Sequence, residues 1–260
     1  MTPHAIAERH AFAIDLAREA GETSLRYFRR TDRLGIREKG PRDLVTEADL
    51  EIDRLIIART REHFPDDGIL TEESGGCDAH GIWVVDPIDG TANFARGIAH
   101  FAISIAFRSG EHTEIGVIHD PVAGETFSAR RGQGAFCNGA SIRASAIDQP
   151  QLAVVDAGYS RKSPLPDYVA LLQGLLDAGY DFLQCGSAAK GLAQVACGRI
   201  DGYCELLLNS WDVLAGLLLV EEAGGWVSSF VAGGDLKRRN AVLACTPALA
   251  LSLKSATNIS

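Results

Sequence analysis

Ile82-Trp83-Val84-Val85-Asp86-Pro87-Ile88-Asp89-Gly90-Thr91 is the stretch from which the fold is read. Its first four residues are an apolar run, as expected of a strand buried on both faces. Asp86 then stands at the carboxyl end of that strand, where ligand sites in layered α/β sheets lie. Pro87 fixes its own φ and Gly90 permits a sharp turn, so two acids three residues apart are held around one point. If Thr91 opens a helix, backbone N–H groups face the same point, and such a helix start suits a phosphate. Acids and amide donors converging in this way point to a cation bridging to an anion. Taken alone, the residues are equally those of an ordinary turn with an Asp cap.

Outward from this stretch the pattern is one of sheets layered with helices. Phe12, Leu16 and Ala20 space a helix from about His4 to Arg30, and Ile52, Leu55 and Ile56 a second from about Glu47 to Phe64. Between them Gly35, Gly40 and Pro41 read as a charged loop. Ile69-Leu70, Phe101 to Phe107, Ile115 to His119 and Thr126 to Ala129 read as strands, with a hairpin turn at Asn138-Gly139. Residues from about 69 to 145 are thus expected to form a mostly antiparallel sheet. The second half alternates instead. Strands are expected at Leu152 to Asp156, Phe182-Leu183, Gly202 to Leu206, Gly225 to Val231 and Ala241 to Ala244, and helices at Tyr168 to Ala178, Ser187 to Cys197 and Asp212 to Ala223. The 260 residues allow one large domain or two intimate halves, divided here into 1–145 and 146–260.

Composition narrows the function classes. With 25 Lys+Arg against 34 Asp+Glu, a formal net charge of −9, the chain is no general binder of nucleic acid. A phosphorylated small molecule remains open if positive charge is supplied locally, as by metal ions. No apolar run is long enough to span a membrane. Met1 to Glu22 lacks the apolar core of a signal peptide, so a cytoplasmic location is expected. Six cysteines without a C-x-x-C pair read as reduced thiols.

The other informative acids sit where pattern alone does not call for them. Glu72-Glu73 follow the strand at Ile69-Leu70. Asp49 shares a helix stripe with Ile52 and Ile56, although Thr46 and Asp49 also make a capping box. Asp212 opens a helix apolar all round, and therefore buried. The dipole at that helix start favours an Asp in any case. Glu72, Asp86, Asp89 and Asp212 at one site would repel one another unless divalent cations were bound, and an oxygen-only set selects Mg²⁺ or Mn²⁺ over Zn²⁺.

Four motifs in order resemble those of the inositol monophosphatase family, of the magnesium-dependent, lithium-sensitive phosphatase superfamily. They are Asp43-Leu44-Val45-Thr46-Glu47-Ala48-Asp49, Leu70-Thr71-Glu72-Glu73-Ser74, Trp83 through Phe94, and Ser210-Trp211-Asp212-Val213-Leu214-Ala215-Gly216 with Glu222-Ala223-Gly224-Gly225. Thr71 departs from the family's usual Gly. The resemblance implies a layered αβαβα sandwich (α+β, α/β) and a homodimer. It implies that Glu72, Asp86 and the Ile88 carbonyl hold a first metal, and that Asp86, Asp89 and Asp212 hold a second. A third would lie near Glu72, giving two or three Mg²⁺ per subunit, with Mn²⁺ a substitute. Asp49 and Thr91 would orient and activate the attacking water, with Glu72 beside them in catalysis, and the Gly90 and Thr91 amides would bind phosphate. Lys39 falls where the family has a mobile, metal-sensitive loop.

The implied activity is hydrolysis of a small phosphorylated alcohol, inositol 1-phosphate foremost, with histidinol phosphate the alternative. Ser187, Glu205 and Asp212 would meet the alcohol. Glu205 suits inositol hydroxyls and a histidinol ammonium alike, and is equally readable as an exposed strand-end acid. Gly132-Gln133-Gly134 starts like a dinucleotide fingerprint but lacks the third Gly and the strand–helix context. A regulatory binding protein on the same fold ranks below the enzyme, because every implied ligand is present.

Overall fold

A computed structural model describes residues 1–28, 37–40, 43–76, 79–160, 162–231 and 235–260, the side chains of 37–40 and 43–45 excepted. The chain opens with α1 (Pro3–Phe28), a short antiparallel pair β1 (Arg37–Gly40) and β2 (Asp43–Val45), and α2 (Glu47–His63). There follow β3 (Gly68–Thr71), β4 (Gly75–Gly76), β5 (Gly81–Asp89), the one-turn α3 (Thr91–Phe94), β6 (Ala102–Ser109), β7 (His112–Asp120), β8 (Glu125–Arg130), β9 (Ala135–Cys137) and β10 (Ala140–Ser141). The second half holds β11 (Val154–Ala157), α4 (Leu165–Asp177), β12 (Asp181–Leu183), α5 (Ala188–Ala196), β13 (Gly202–Leu208), α6 (Ser210–Glu222), β14 (Trp226–Val227), β15 (Asn240–Cys245) and α7 (Ala250–Thr257).

The first large sheet has eight strands in the order β10-β9-β8-β7-β6-β5-β3-β4, and the second has five, β12-β11-β13-β15-β14. In the first, β3 and β5 run parallel and the other neighbours antiparallel. Side-chain alternation then builds the layers. Trp83, Val85, Ile103, Ile105, Phe107 and Val117 face α1 and α2, packing on Leu16, Ala20, Ile52 and Ile56. Val84, Ala102, Ala106, Ile118 and Phe127 face the other way, onto Leu192, Val213, Leu217 and Val220 of α5 and α6. The far side of α5 and α6 covers Tyr203, Val242 and Ala244 of the second sheet. Leu171, Leu175 and Leu253 of α4 and α7 close its outer face over Val155, Cys204 and Leu243. The result is the αβαβα sandwich. α6, buried along Ser210 and Asp212–Val220, is its central helix, which is why its sequence has no polar stripe.

Several expectations change in detail. The run at 82–85 is the middle of a nine-residue strand that continues through Asp89, with its pairing to β6 interrupted between Asp86 and Asp89. Pro87 has no N–H to give a ladder, and the strand continues across it by a local irregularity. The segment read as a loop before α2 holds β1 and β2; Gly35 and Pro41 lie outside the described residues, as do the Lys39 side chain, Arg30 and Cys77. The strand expected at Gly225 to Val231 is confined to Trp226–Val227. The Asn138-Gly139 hairpin is present, with φ of 50° and 82°. No described helix is long and apolar enough to cross a membrane.

The contact between α6 and the first sheet is close because Gly116 of β7 has no side chain. A Cβ there would lie 2.5 Å from the Ala215 carbonyl oxygen, a backbone atom that cannot swing away. Gly116→Ala is therefore expected to destabilise the fold by about 1–3 kcal/mol, measured as a lowered midpoint in thermal or urea unfolding.

Candidate active site

The site is assembled by helix starts. Asp86 follows the alternation of Ile82 and Val84, so its side chain lies on the face covered by α5 and α6. Register pairs Asp86 with Ser104, whose hydroxyl donates to the Trp211 carbonyl at 3.0 Å and ties the start of α6 to that spot. Asp212 is the third residue of α6 and closes a capping box, accepting from the Asn209 amide at 2.7 Å. Asp89 docks on the start of α5, where Oδ2 accepts from Ser187 Oγ at 2.5 Å and from the Ala189 amide at 2.7 Å. Asp86 Oδ1 accepts from the Ile88 amide at 3.0 Å. Each acid is thus held rigid by its local backbone while it lines the cleft.

Asp86, Asp89 and Asp212 bring one oxygen each within 4.8 Å of one another, and all three side chains are buried. Burial pushes the Asp86 carboxyl well above the usual range, and the charges of Glu72, Asp89 and Asp212 push it further. Asp212 is raised well above its usual value for the same reasons, burial first and then Glu72 and Asp89. Burial raises Asp89 to about 6, against the opposing hydrogen bonds from Ser187 and Ala189. An arrangement this unfavourable for three anions fits hard divalent cations with oxygen ligands.

Around the triad, a cleft of about 220 Å³ is lined also by Glu72, Ile88, Gly90, Thr91, Tyr159, Lys162, Ser187, Glu205 and Asn209. A larger cavity of about 290 Å³, by the start of α1 and Arg130–Arg131, holds none of the site acids. Glu72 is half-buried on the cleft wall but stands outside the tight triad. Asp49 is buried and does close a capping box with Thr46, whose amide donates to Oδ2 at 2.9 Å. Its other oxygen lies 3.2 Å from Thr91 Oγ1, which is 3.0 Å from the Ile88 carbonyl. Cap and site position are thus one arrangement. Gly90 holds φ 95° before α3, in space bounded by the His100 and Gly186 carbonyls, so no other residue fits without strain. α3 has only four residues, so it offers no long helix dipole at that point.

Glu205 is no exposed strand-end acid. It is 7% exposed, accepts from Tyr203 Oη at 2.6 Å, and is raised by burial to about 8. Gly158 makes room for this pair, since a Cβ there would overlap both side chains. Sequence reading misses Gly158, Tyr159 and Lys162, and gives Tyr203 and Asn93 no role of their own. Asn93 Nδ2 donates to the His100 and Cys185 carbonyls, both at 2.8 Å, joining α3 to the segment before α5. Its place in the motif is a signal; its bond to Cys185, 92 residues away, is not readable.

A five-layer sandwich whose central helix starts converge on buried carboxylates defines a class of acid-lined, cation-fitting sites, and likeness to known proteins says which. The sequence matches the inositol monophosphatase family over residues 6–258. A Haemophilus influenzae protein named Nus factor SuhB is 40% identical over 237 residues, 89% of each chain. Among solved structures, the extragenic suppressor protein suhB of Bartonella henselae superposes with a TM-score of 0.89 at 35% identity, over 94% of this chain and 96% of that one. The IMPase of Thermotoga maritima does so with a TM-score of 0.87 at 32% identity, over 96% and 97%. The chain belongs to the inositol monophosphatase family.

The raised carboxyls set the pH dependence of the metal-free protein. Between the unfolded value near 4 and their folded values these acids bind more protons in the native state, so their contribution to stability falls as pH rises. They outnumber the lowered imidazoles of His10, His100 and His119, which act the other way. In chelator, the melting temperature is expected to rise as pH is lowered from 7 toward 6, where Asp89 takes up its proton. Asp86→Asn should melt above the unsubstituted protein at pH 7, by about 2–4 °C for each kcal/mol of repulsion relieved, and should flatten this pH dependence. Calorimetry in chelator checks both.

Proposed function

We propose that the chain is a Mg²⁺-dependent phosphomonoesterase acting on a small phosphorylated polyol, inositol 1-phosphate foremost. The observation that carries this reading is the buried triad of Asp86, Asp89 and Asp212 opening on a cleft of substrate size. Glu72, Asp86 and the Ile88 carbonyl would hold one cation, Asp86, Asp89 and Asp212 a second, and Glu72 a weaker third, with Mn²⁺ able to replace Mg²⁺. Bound there, Mg²⁺ supplies charge neutralisation of the phosphate oxygens and lowers the pKa of water.

The chain's own residues do the rest. Thr91 Oγ1 and Asp49, 3.2 Å apart, orient the attacking water, and the Gly90 and Thr91 amides hold phosphate oxygens so that the ester oxygen departs in line. Lys162, on the cleft wall, adds positive charge there. No Ser or Cys nucleophile is required. Residues 1–145 furnish Asp49, Glu72, Asp86, Asp89 and Thr91, and residues 146–260 furnish Ser187, Glu205 and Asp212.

Glu205 favours the polyol over histidinol phosphate. Burial raises its carboxyl, and held by Tyr203 Oη it suits exchange of hydrogen bonds with hydroxyls better than pairing with an ammonium. We also propose lithium sensitivity, a homodimeric state and a cytoplasmic location, on family resemblance.

A second reading has its own support. Relatives at 39–40% identity carry the name Nus factor SuhB, the name of a factor and not of an enzyme. We propose that a binding role of that kind coexists with catalysis on this fold. The net charge of −9 argues against general affinity for nucleic acid, but not against recognition through a local surface.

Phosphate release is tested with Mg²⁺ against inositol 1-phosphate, histidinol phosphate, fructose 1,6-bisphosphate and adenosine 3′,5′-bisphosphate. A kcat/KM preference for inositol 1-phosphate, lost in chelator, is expected. Asp89→Asn should lower kcat on the order of 1,000-fold with the fold retained by circular dichroism, and full turnover in that variant would defeat the assignment. Glu205→Ala should raise KM about tenfold, the loss of roughly one hydrogen bond, with kcat little changed.

A further inference from the structure

A second cluster of potential ligands stands behind the active-site wall. His100, between α3 and β6, Asp156 of β11 and Cys185, before α5, each offer one ligand atom, and the three atoms lie within 4.8 Å of one another. The set is an imidazole, a carboxylate and a thiol, so it is not a second copy of the all-oxygen triad. Two of its atoms are orphaned in the fold. Among the described residues His100 Nε2 and Asp156 Oδ2 are buried without a hydrogen-bond partner, and Asp156, beside the Cys185 thiol, is only 1% exposed. An unpaired buried polar atom costs about 1–3 kcal/mol, so two side by side ask for a common partner.

We propose that His100, Asp156 and Cys185 form a Zn²⁺ site, open at its fourth position, separate from the acidic cleft. The donor chemistry selects the metal, because thiolate and imidazole favour Zn²⁺ over Mg²⁺. A tetrahedral Zn²⁺ with bonds of about 2.0–2.3 Å sets its ligand atoms roughly 3.3–3.8 Å apart, within the 4.8 Å that bounds this set. The scaffold is already fastened. The Cys185 amide donates to Asp156 Oδ1 at 3.1 Å, and Asn93 Nδ2 holds the His100 and Cys185 carbonyls together. His100 and Cys185 are half-buried, which leaves the ion a way in.

The charges around the cluster are compatible with a cation. Burial, with Lys190 nearby, lowers His100 to about 4, so its imidazole is neutral and able to ligate. Lys190 itself is held by Asp120 at 2.5 Å and by the Ala99 carbonyl at 3.2 Å. Burial and Asp156 raise the Cys185 thiol to about 11, so binding must displace its proton to solvent as the S–Zn bond forms. The site connects to the first through the chain, since Cys185 is two residues from Ser187, the hydroxyl that donates to Asp89.

The test is Zn²⁺ titration calorimetry of the whole protein with the acidic cleft filled by excess Mg²⁺, repeated in buffers of different ionisation enthalpy, alongside absorption of the Co²⁺-loaded protein. One Zn²⁺ per chain is expected, with release of about one proton and a thiolate-to-cobalt charge-transfer band. Cys185→Ser should abolish the band and weaken Zn²⁺ by more than about 100-fold. Asp156→Asn and His100→Phe, on separate elements, should each weaken it at least tenfold, and Asp89→Asn should leave it unchanged. Absence of the band in the unsubstituted protein, its persistence in Cys185→Ser, or Zn²⁺ binding lost only in Asp89→Asn would overturn the proposal.

Discussion

Buried carboxylates a few ångströms apart repel one another, and the repulsion grows as water is withdrawn. Asp86, Asp89 and Asp212 are in that position, and much of the fold exists to keep them there. The three come from two layers: two from the long strand of the first sheet and one from the central helix. Gly116 lets that helix approach the sheet, Ser104 fastens its start, and the interrupted pairing of β5 after Asp86 turns a second acid toward the start of α5. A strand without that irregularity would place residues 86 and 89 on opposite faces.

What holds the acids is also what any ordinary protein would use. Asp49 and Asp212 are third residues of capping boxes, and Asp89 receives the first amides of a helix. Capping and ligation are alternatives only on paper, because a carboxylate has two oxygens and a helix start occupies one. The cap fixes the rotamer, and the second oxygen is then presented to the cleft at no further entropic cost. The same double use appears in Glu205, whose bond from Tyr203 orients it into the cleft from a buried strand.

The layered fold, the hairpin at Asn138-Gly139 and the ordering of the acids are legible in the sequence because each depends on local pattern: alternation, apolar helices, turn residues. The acids can be flagged individually, but spacing does not reveal their convergence, since Asp86 and Asp212 meet through packing of α6 on the sheet. The strand runs past Val85, against expectation, because the irregularity that accommodates Pro87 has no sequence signature of its own. Glu205 reads equally well as an exposed acid, because its burial depends on Gly158 and Tyr203 forming its wall. The cluster of His100, Asp156 and Cys185 is invisible in the sequence for the same reason: its members lie on three separate elements and share no spacing rule.

Membership in the inositol monophosphatase family does not by itself fix a role, as a fold carries function only through its sites. Relatives of comparable similarity are called IMPase in one case and Nus factor in another. The central claim is therefore one about the site: that the carboxylate triad exists to hold divalent cations. Anomalous diffraction from crystals grown with Mn²⁺ tests it most directly. The account predicts strong peaks among Asp86, Asp89 and Asp212, reached also by Glu72 and the Ile88 carbonyl. A map with no peak at the triad, its three carboxyls instead sharing protons, would contradict it.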